Sequence, residues 1–382
     1  MASLVVFPFK TEDPAVVSRN VQIAAGHASV AEVLCVSSER GTTYEGVNAG
    51  ISSIVEATGT PVGLIIQARI GSKRPGKGDG MNTGLHHFVD GAHDRLHFYD
   101  SDITSFDETW ITKAEKAADQ GFDIVRHYFP RSSTDGMVTW MITRPGFAFL
   151  FPKSDLSLID QPLGGELLLS RGAAETLASD SWVQDQSDWG IDTLITFSAV
   201  RHGMSIAEVY IPQGKVHKLY GQLSDIRRMV IECFSAMQDL RNQTPGQHIT
   251  HHVEPSGEAP SSITSKIGYD YGTTLELIPS VFTDRQLELL STLPGLANEG
   301  MISAHTGRVS FMDEDLWREV YIVLLVEFAR DDEDWEELLF LLWVVRVLAY
   351  TREVAANGYE QAMKYLKGTI RHYREGQSHG NI

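Results

Sequence analysis

The first hundred residues alternate short β-type runs with helical patterns, and that alternation constrains the fold more than any other feature. LVVFPF (Leu4–Phe9), EVLCVSS (Glu32–Ser38), VGLIIQA (Val62–Ala68) and RLHFYD (Arg95–Asp100) read as strands. Pro14–Ala25, Tyr44–Thr58 and Met81–Val89 read as helices. Alternation at this spacing builds βαβ units, hence a mostly parallel sheet with helices on both faces. Such sheets bind ligands beyond the carboxyl ends of their strands. Pro8–Lys10, Ser37–Arg40, Gln67–Asp79 and Asp100–Asp102 all fall at those ends and are expected to converge on one site.

Further along, FDIVRHYF (Phe122–Phe129) and SIAEVYIP (Ser205–Pro212) read as additional strands, and Ser224–Leu240 as an amphipathic helix. Residues 242–262 change character: three prolines, two glycines and three histidines without an apolar period read as a linker or long loop. His248, His251 and His252 have no Cys or carboxylate at ligand spacing, so a plain polar loop is expected there rather than a metal cluster. Thr283–Leu293, Asp313–Phe328, Asp334–Ala356 and Tyr359–Tyr373 are helical in pattern. The expected organisation is an α/β domain over residues 1–241, a linker over 242–262 and a helical domain over 263–382. The broad apolar faces of the last domain could also form a homo-oligomer contact.

The formal charge of this 382-residue chain is −18, which makes non-specific nucleic-acid binding a poor fit. A phosphate-bearing ligand must be met by a few local cations or a metal. Cys35 and Cys233 lie far from any CxxC pattern and read as buried reduced thiols. The apolar run Leu4–Phe7 is too short for a signal segment, and Leu338–Val345 is too short to span a bilayer. No membrane association and a cytoplasmic location are expected.

Asp100-Ser101-Asp102 directly follows the fourth strand. Two carboxylates past a strand end can share a divalent cation that holds diphosphate oxygens, although acidic pairs in loops are often only solvated. GSKRPGKG (Gly71–Gly78) sets Lys73, Arg74 and Lys77 in a Gly/Pro-rich loop before a helix, a reasonable anion cradle. Gly71, Gly76 and Lys77 also fit P-loop spacing, but Gly78 stands where that motif needs a hydroxyl. A surface loop without a ligand fits the same residues. KVHKLY (Lys215–Tyr220) follows the last strand, and its His217, Lys218 and Tyr220 could complete a metal–diphosphate site. A lone His is more often an ordinary residue, and only the company of Asp100 and Asp102 argues otherwise. RHYFPRSSTDGMVTW (Arg126–Trp140) joins Arg131 to a hydroxyl run and Asp135-Gly136, which suits a small hydroxy acid; a turn with incidental polar groups fits the spacing too. Trp189 and Asp192 in SDWGID pair a sugar platform with a carboxylate, and QPLGGE (Gln161–Glu166) offers glycines where a backbone could approach a ring.

Taken together, SLVVFPFK, RPGKGDGMNT, HFYDSDITSF with WITKAEKAAD, VRHYFPRSSTD, QPLGGELL, SDWGIDTL and DWEELLF closely resemble the mannosylglycerate synthases of glycosyltransferase family 78. The resemblance runs from Ser3 into the C-terminal helices. It implies a GT-A fold, the Rossmann-like α/β sheet of nucleotide-diphospho-sugar transferases, followed by an all-helical domain. It also implies mannose transfer from GDP-mannose to D-glycerate with retention, helped by a divalent metal (Mg²⁺ or Mn²⁺) and no organic cofactor. Matched by motif, Asp102 and His217 would be metal ligands, with Asp100 in the outer shell. Pro8, Lys10, Gln67, Lys77, Asp100, Ser101, Lys218 and Tyr220 would hold the nucleotide. Leu163, Gly165, Trp189 and Asp192 would surround the sugar, and Arg131, Asp135, Met137 and Thr139 would form the glycerate pocket. Three positions depart from the family pattern: Ser101 and Gly136 where alanines are expected, and Lys218 where an arginine is expected. A lysine gives one point-charge contact where arginine gives a fork, and Gly136 loosens the acceptor loop.

The expected activity is a retaining α-mannosyltransferase making 2-O-mannosylglycerate, a compatible solute. Lys77, Tyr220 and Asp192 are its catalytic candidates, the first two on the departing GDP. No strong nucleophile flanks the sugar motifs, so front-face attack is expected over a covalent intermediate on Asp192. The rival readings are a GDP-glucose donor, a lactate or glycolate acceptor, a P-loop-like nucleotidase using Gly71–Lys77, and a non-catalytic sugar-binding or oligomerising module.

Overall fold

The computed structural model describes residues 2–217, 223–246, 248–278, 282–296 and 312–376. They form two compact units interleaved along the chain, where consecutive stretches were expected. The first unit is Met1–Pro130, Ile159–Lys218 and Pro245–Pro260; the second is Arg131–Leu158, Leu219–Thr244 and Ser261–Ile382.

The first unit is built on an eight-stranded sheet: β1 (Ser3–Phe9), β2 (Val30–Ser37), β3 (Val62–Ile66), β4 (Arg95–Phe98), β5 (Ile124–Tyr128), β6 (Leu167–Ser170), β7 (Ile206–Tyr210) and β8 (His251–Val253), in the order β3-β2-β1-β4-β6-β5-β7-β8. All neighbours pair in parallel except β6, which runs against both β4 and β5. Strands buried on both faces read as near-continuous apolar runs, as VVF of β1 and VLCV of β2 do. Val5, Phe7, Val33 and Cys35 face Val17 and Val21 of α1 (Pro14–Ala25) and Val47 of α2 (Thr42–Thr58) in one core cluster. Each such side chain contributes about 1.5–3 kcal/mol on burial. Asp13 caps α1, accepting from the Ala15 N–H, with Pro14 in the first turn; Gly59 ends α2 at φ 74°, where a side chain would be strained.

Two strands depart from expectation. β6 was not anticipated, because LLLS is too short to carry a period. β8 lies inside the expected linker: its residues pair with β7, and His251 Nε2 sits 2.9 Å from the buried Glu208 carboxylate. His252 packs its ring 6.0 Å from that of Phe122. The histidine segment is thus an edge strand rather than a free polar loop.

In the second unit, helix Glu333–Glu353 is buried on every side from Leu338 to Tyr350, as a central helix must be. Asp332 caps it by accepting from Asp334 N and Trp335 N. Its one buried arginine is held at both Nη atoms, with Arg346 donating to Met312 O at 3.1 Å and Tyr365 Oη at 2.7 Å. Helices Arg227–Asp239, Glu314–Glu327 and Tyr359–Gly376 accompany it. Among the described residues no helix is long and apolar enough to cross a membrane. Both cysteines are buried and unbridged.

Candidate active site

Beyond the carboxyl end of β4 the chain turns through Asp100-Ser101-Asp102, and α1 holds that turn. The fully buried Asn20 donates to Ser101 O (3.0 Å) and Ile103 O (2.9 Å), and Arg19 donates to Thr104 O (2.8 Å) and Phe106 O (3.0 Å). The loop after β7 is laced to the same segment: Thr104 N and Oγ1 both donate to Val216 O, Val216 N to Ser105 Oγ, and Ser105 Oγ to Gly214 O. This lacing brings His217 Nδ1 to 3.9 Å from Asp102 Oδ2. A carboxylate oxygen and an imidazole nitrogen brought together in this way would hold a divalent ion. Among the described residues no three His, Cys, Asp or Glu side chains gather as a metal cluster, so such an ion would need ligand oxygens as well.

Beside this pair lies a buried charge cluster. Lys77 Nζ is 3.1 Å from Asp100 Oδ1 and 3.1 Å from Asp192 Oδ2; Lys215 Nζ is 2.5 Å from Asp100 Oδ2 and 2.6 Å from Glu166 Oε1. Burial opposes charge on Asp100, but the two ammonium groups outweigh it and hold its pKa well below the usual range. Burial and the Asp100 charge push Glu166 up to about 7, against the pull of Lys215. Burial likewise raises Asp192, and burial with Asp100 raises Asp102. Lys77 is opposed by burial but kept charged by Asp100, Asp192 and Glu166. Gly165 makes the cluster sterically possible: a Cβ there would lie 2.5 Å from Asp100 Oδ1 and 2.6 Å from Lys77 Nζ.

The Gly71–Gly78 loop is not the anion nest that its composition allows. Ile70 N and Gly71 N both donate to the buried Asp79 carboxylate at 3.1 Å, Ser72 N donates to Asp185 Oδ1, and Lys73 N to Asp185 O. Its glycines serve close packing: Cβ atoms on Gly71 and Gly78 would each come within 2.4 Å of backbone oxygens in residues 185–186. The loop hands Lys77 to the start of α3 (Lys77–Asp90) and to the charge cluster. This geometry argues against the P-loop reading.

Of the other expected residues, Pro8 and Gln67 meet at Gly80 of α3, whose absent side chain would lie 3.5 Å from Pro8 Cβ and 3.2 Å from Gln67 Oε1. Lys10 is exposed, and its N–H donates to Glu12. The Trp189 ring takes Lys77 Nζ at 5.3 Å from its centroid, a cation–π contact. Asp192 stands in the first turn of helix Ile191–Arg201 with Oδ1 buried and without a hydrogen-bond partner among the described residues. Leu163 is half-buried in the turn before Gly165. That turn is held from below by Arg126, which donates to Gln161 O (3.3 Å), Gly164 O (3.2 Å) and Thr196 Oγ1 (2.6 Å). Lys218 and Tyr220 lie outside the described residues. Lys215, Glu166, Arg126 and Asn20 were not among the expected site residues.

The acceptor candidates belong to the second unit. Arg131 Nη1 lies 3.4 Å from Asp135 Oδ2, Gly136 N donates to Asp135 Oδ1, and Met137 and Thr139 are buried. Gly136 has φ 68°, so it sets a left-handed turn rather than merely loosening the loop.

A solved structure of a mycobacterial protein shares this fold, with a TM-score of 0.50 at 18% identity over 68% of this chain and 86% of that one. The mostly parallel sheet with its reversed strand is of the GT-A class, and the protein is a glycosyltransferase. Family models for the GT domain and the C-terminal domain of mannosylglycerate synthase match residues 3–239 and 263–370. Mannosylglycerate synthase of Rhodothermus marinus is 52% identical over 374 residues, covering 97% of this chain and 94% of that protein. The Selaginella moellendorffii enzyme of the same name is 52% identical over 373 residues, covering 96% and 88%. The chain belongs to the mannosylglycerate synthase family.

Proposed function

We propose that this glycosyltransferase moves the mannosyl group of GDP-mannose to the 2-hydroxyl of D-glycerate with retention, releasing GDP and 2-O-α-mannosylglycerate, a compatible solute. The observation that carries this reading is the Asp102–His217 pair beside a cluster in which carboxylates outnumber ammonium groups. Among the described residues the ammonium partners of Asp100, Glu166 and Asp192 are Lys77 and Lys215, Arg126 adds its charge near Asp192 and Glu166, and Asp102 faces His217. A diphosphate approaching such a site is repelled unless a cation comes with it. The donor set of one carboxylate and one imidazole suits Mg²⁺ or Mn²⁺ completed by phosphate oxygens. When bound there, the ion would neutralise charge developing on the leaving GDP.

The chain's own groups do the rest. Lys77, kept charged by the carboxylates around it, stabilises the leaving phosphate. Asp192 Oδ1, buried and without a partner among the described residues, accepts from a hydroxyl of the sugar, while Gly164 and Gly165 keep the ring close to backbone. Asp192 is bound to Lys77 through its other oxygen, which suits a positioning carboxylate better than a nucleophile, so front-face attack is favoured. In the acceptor loop, Arg131 pairs with the glycerate carboxylate. No organic cofactor enters the scheme.

The test is GDP release with Mg²⁺ or Mn²⁺, scanning GDP-mannose and GDP-glucose with and without D-glycerate, lactate and glycolate. Glycerate-dependent release from GDP-mannose that disappears in Asp102→Ala supports the proposal. Release indifferent to glycerate would overturn the acceptor, and faster release from GDP-glucose would overturn the donor.

A further inference from the structure

The helical second unit holds the acceptor loop by hydrogen bonds to its main chain. Helix Glu333–Glu353 sends Tyr350 Oη to Ser133 O at 2.7 Å and Trp343 Nε1 to Met137 O at 3.5 Å. Helix Glu314–Glu327 sends Trp317 Nε1 to Met141 O at 3.0 Å and Tyr321 Oη to Ile142 O at 2.8 Å. All four donors are at most 1% exposed.

The loop's own sequence explains why it needs them. Residues Thr139–Thr143 form a π-helical turn in which Arg144 N returns to Thr139 O, and Pro145 follows at once. Pro145 has no N–H to give the Met141 carbonyl four residues before it, and Trp317 donates to that carbonyl. Gly146 has a matching role, since a Cβ there would lie 2.5 Å from Tyr321 Oη and block that phenol from Ile142 O. On another side, Ser133 and Thr134 border a cavity of about 690 Å³ that Lys266, Tyr271 and Thr351 help to line. There two hydrogen bonds hold the loop: Tyr350 on Ser133 O, and Gly268 N on Thr134 Oγ1 at 2.8 Å.

We infer that Trp317, Tyr321, Trp343 and Tyr350 are positioning residues for acceptor recognition, through which the C-terminal helices set the geometry of Arg131–Thr139. This rests on the acceptor role proposed for that loop. Tyr321→Phe and Tyr350→Phe each remove one oxygen and keep the aromatic volume. Each is expected to raise the D-glycerate KM about three- to tenfold, roughly the effect of one net hydrogen bond. The double variant should exceed either single one. The GDP-mannose KM should move less than about twofold, and the glycerate KM should rise by more than kcat falls. A merely structural role would lower the melting temperature and the active fraction while leaving the glycerate KM where it was, and that result overturns the inference. Arg131→Ala is measured in parallel. If it raises the glycerate KM and the phenylalanine variants do not, the positioning inference falls alone. If none of the three raises it, the acceptor assignment falls and the inference falls with it.

Discussion

Lys215→Met is the sharpest perturbation of the charge cluster. It keeps the length and apolar stem of the side chain and removes the ammonium that lies 2.5 Å from Asp100 and 2.6 Å from Glu166. Asp100 retains Lys77 at 3.1 Å, whereas Glu166 is fully buried and its other oxygen, Oε2, has no partner among the described residues. Stripping the partner from a buried ion pair costs about 3–5 kcal/mol when the remaining charge stays. Glu166 can escape by taking a proton, and burial already pushes its pKa up to about 7 with Lys215 in place. Its folded pKa stands above the unfolded carboxylate value, so its ionised form weakens the fold as pH rises through 7. At pH 5.5 Glu166 is protonated with or without Lys215, and the loss reduces to one charge-assisted hydrogen bond on Asp100, about 1.5 kcal/mol. At pH 8 the wild type ionises Glu166 against Lys215, the variant cannot, and the loss rises toward about 3 kcal/mol. Urea unfolding of both proteins in the presence of a chelator, at pH 5.5 and pH 8, reads the two differences. An equal loss at both pH values, or none, would refute the reasoning.

Gly165→Ala places a methyl group against Asp100 Oδ1 and Lys77 Nζ, so the 3.1 Å pair must open; GDP affinity measured by calorimetry with Mn²⁺ should fall by about tenfold or more, with helix content unchanged by circular dichroism. Glu115, reached by His97 Nε2 (2.9 Å), Ser3 Oγ (2.5 Å) and Arg95, is opposed by burial but pulled down to about 2 by these partners, so it stabilises the fold above the unfolded value near 4.5 and that contribution disappears as pH falls toward 2. Glu115→Gln should therefore cost about 2–3 kcal/mol at pH 7 and make thermal stability flatter between pH 4.5 and pH 2 than in the wild type. Asn20→Ala removes two donors from the carbonyls around Asp102, and the thermal shift produced by Mn²⁺ should shrink although Asn20 touches no ligand group; an unchanged shift would dismiss its role in holding the turn.

The parallel part of the fold was legible because its signals are local. The β1, β2 and β3 runs and the helices between them fall within a few residues of their observed limits, and Asp13-Pro14 announces the start of α1 to the residue. β6 and β8 were not legible, since four and three residues cannot establish a period and each depends on a partner more than forty residues away. The interleaving of the two units was hidden for the same kind of reason. Arg131–Leu158 is fixed by donors from helices that follow it by more than a hundred and fifty residues, and nothing in RSSTDGMVTW displays a need for Trp317 or Tyr350.

The site divides along the same line. Asp100, Asp102, Lys77 and Gln67 were readable because a parallel sheet delivers the residues after each strand to one edge. Glu166 violates that rule in an instructive way: it precedes its strand. β6 runs antiparallel between β4 and β5, so Leu167 pairs with both Phe98 and Arg126, and the residue just before it arrives at the edge that the others reach by leaving their strands. The backbone confirms the placement, because His127 N donates to Glu166 O at 3.2 Å. A carboxylate delivered in this way comes beside Asp100, two acids that need a cation between them, and among the described residues Lys215 after β7 is paired with both. One strand reversal thus accounts for two of the residues that the spacing of motifs did not reveal, the buried acid and the lysine that answers it.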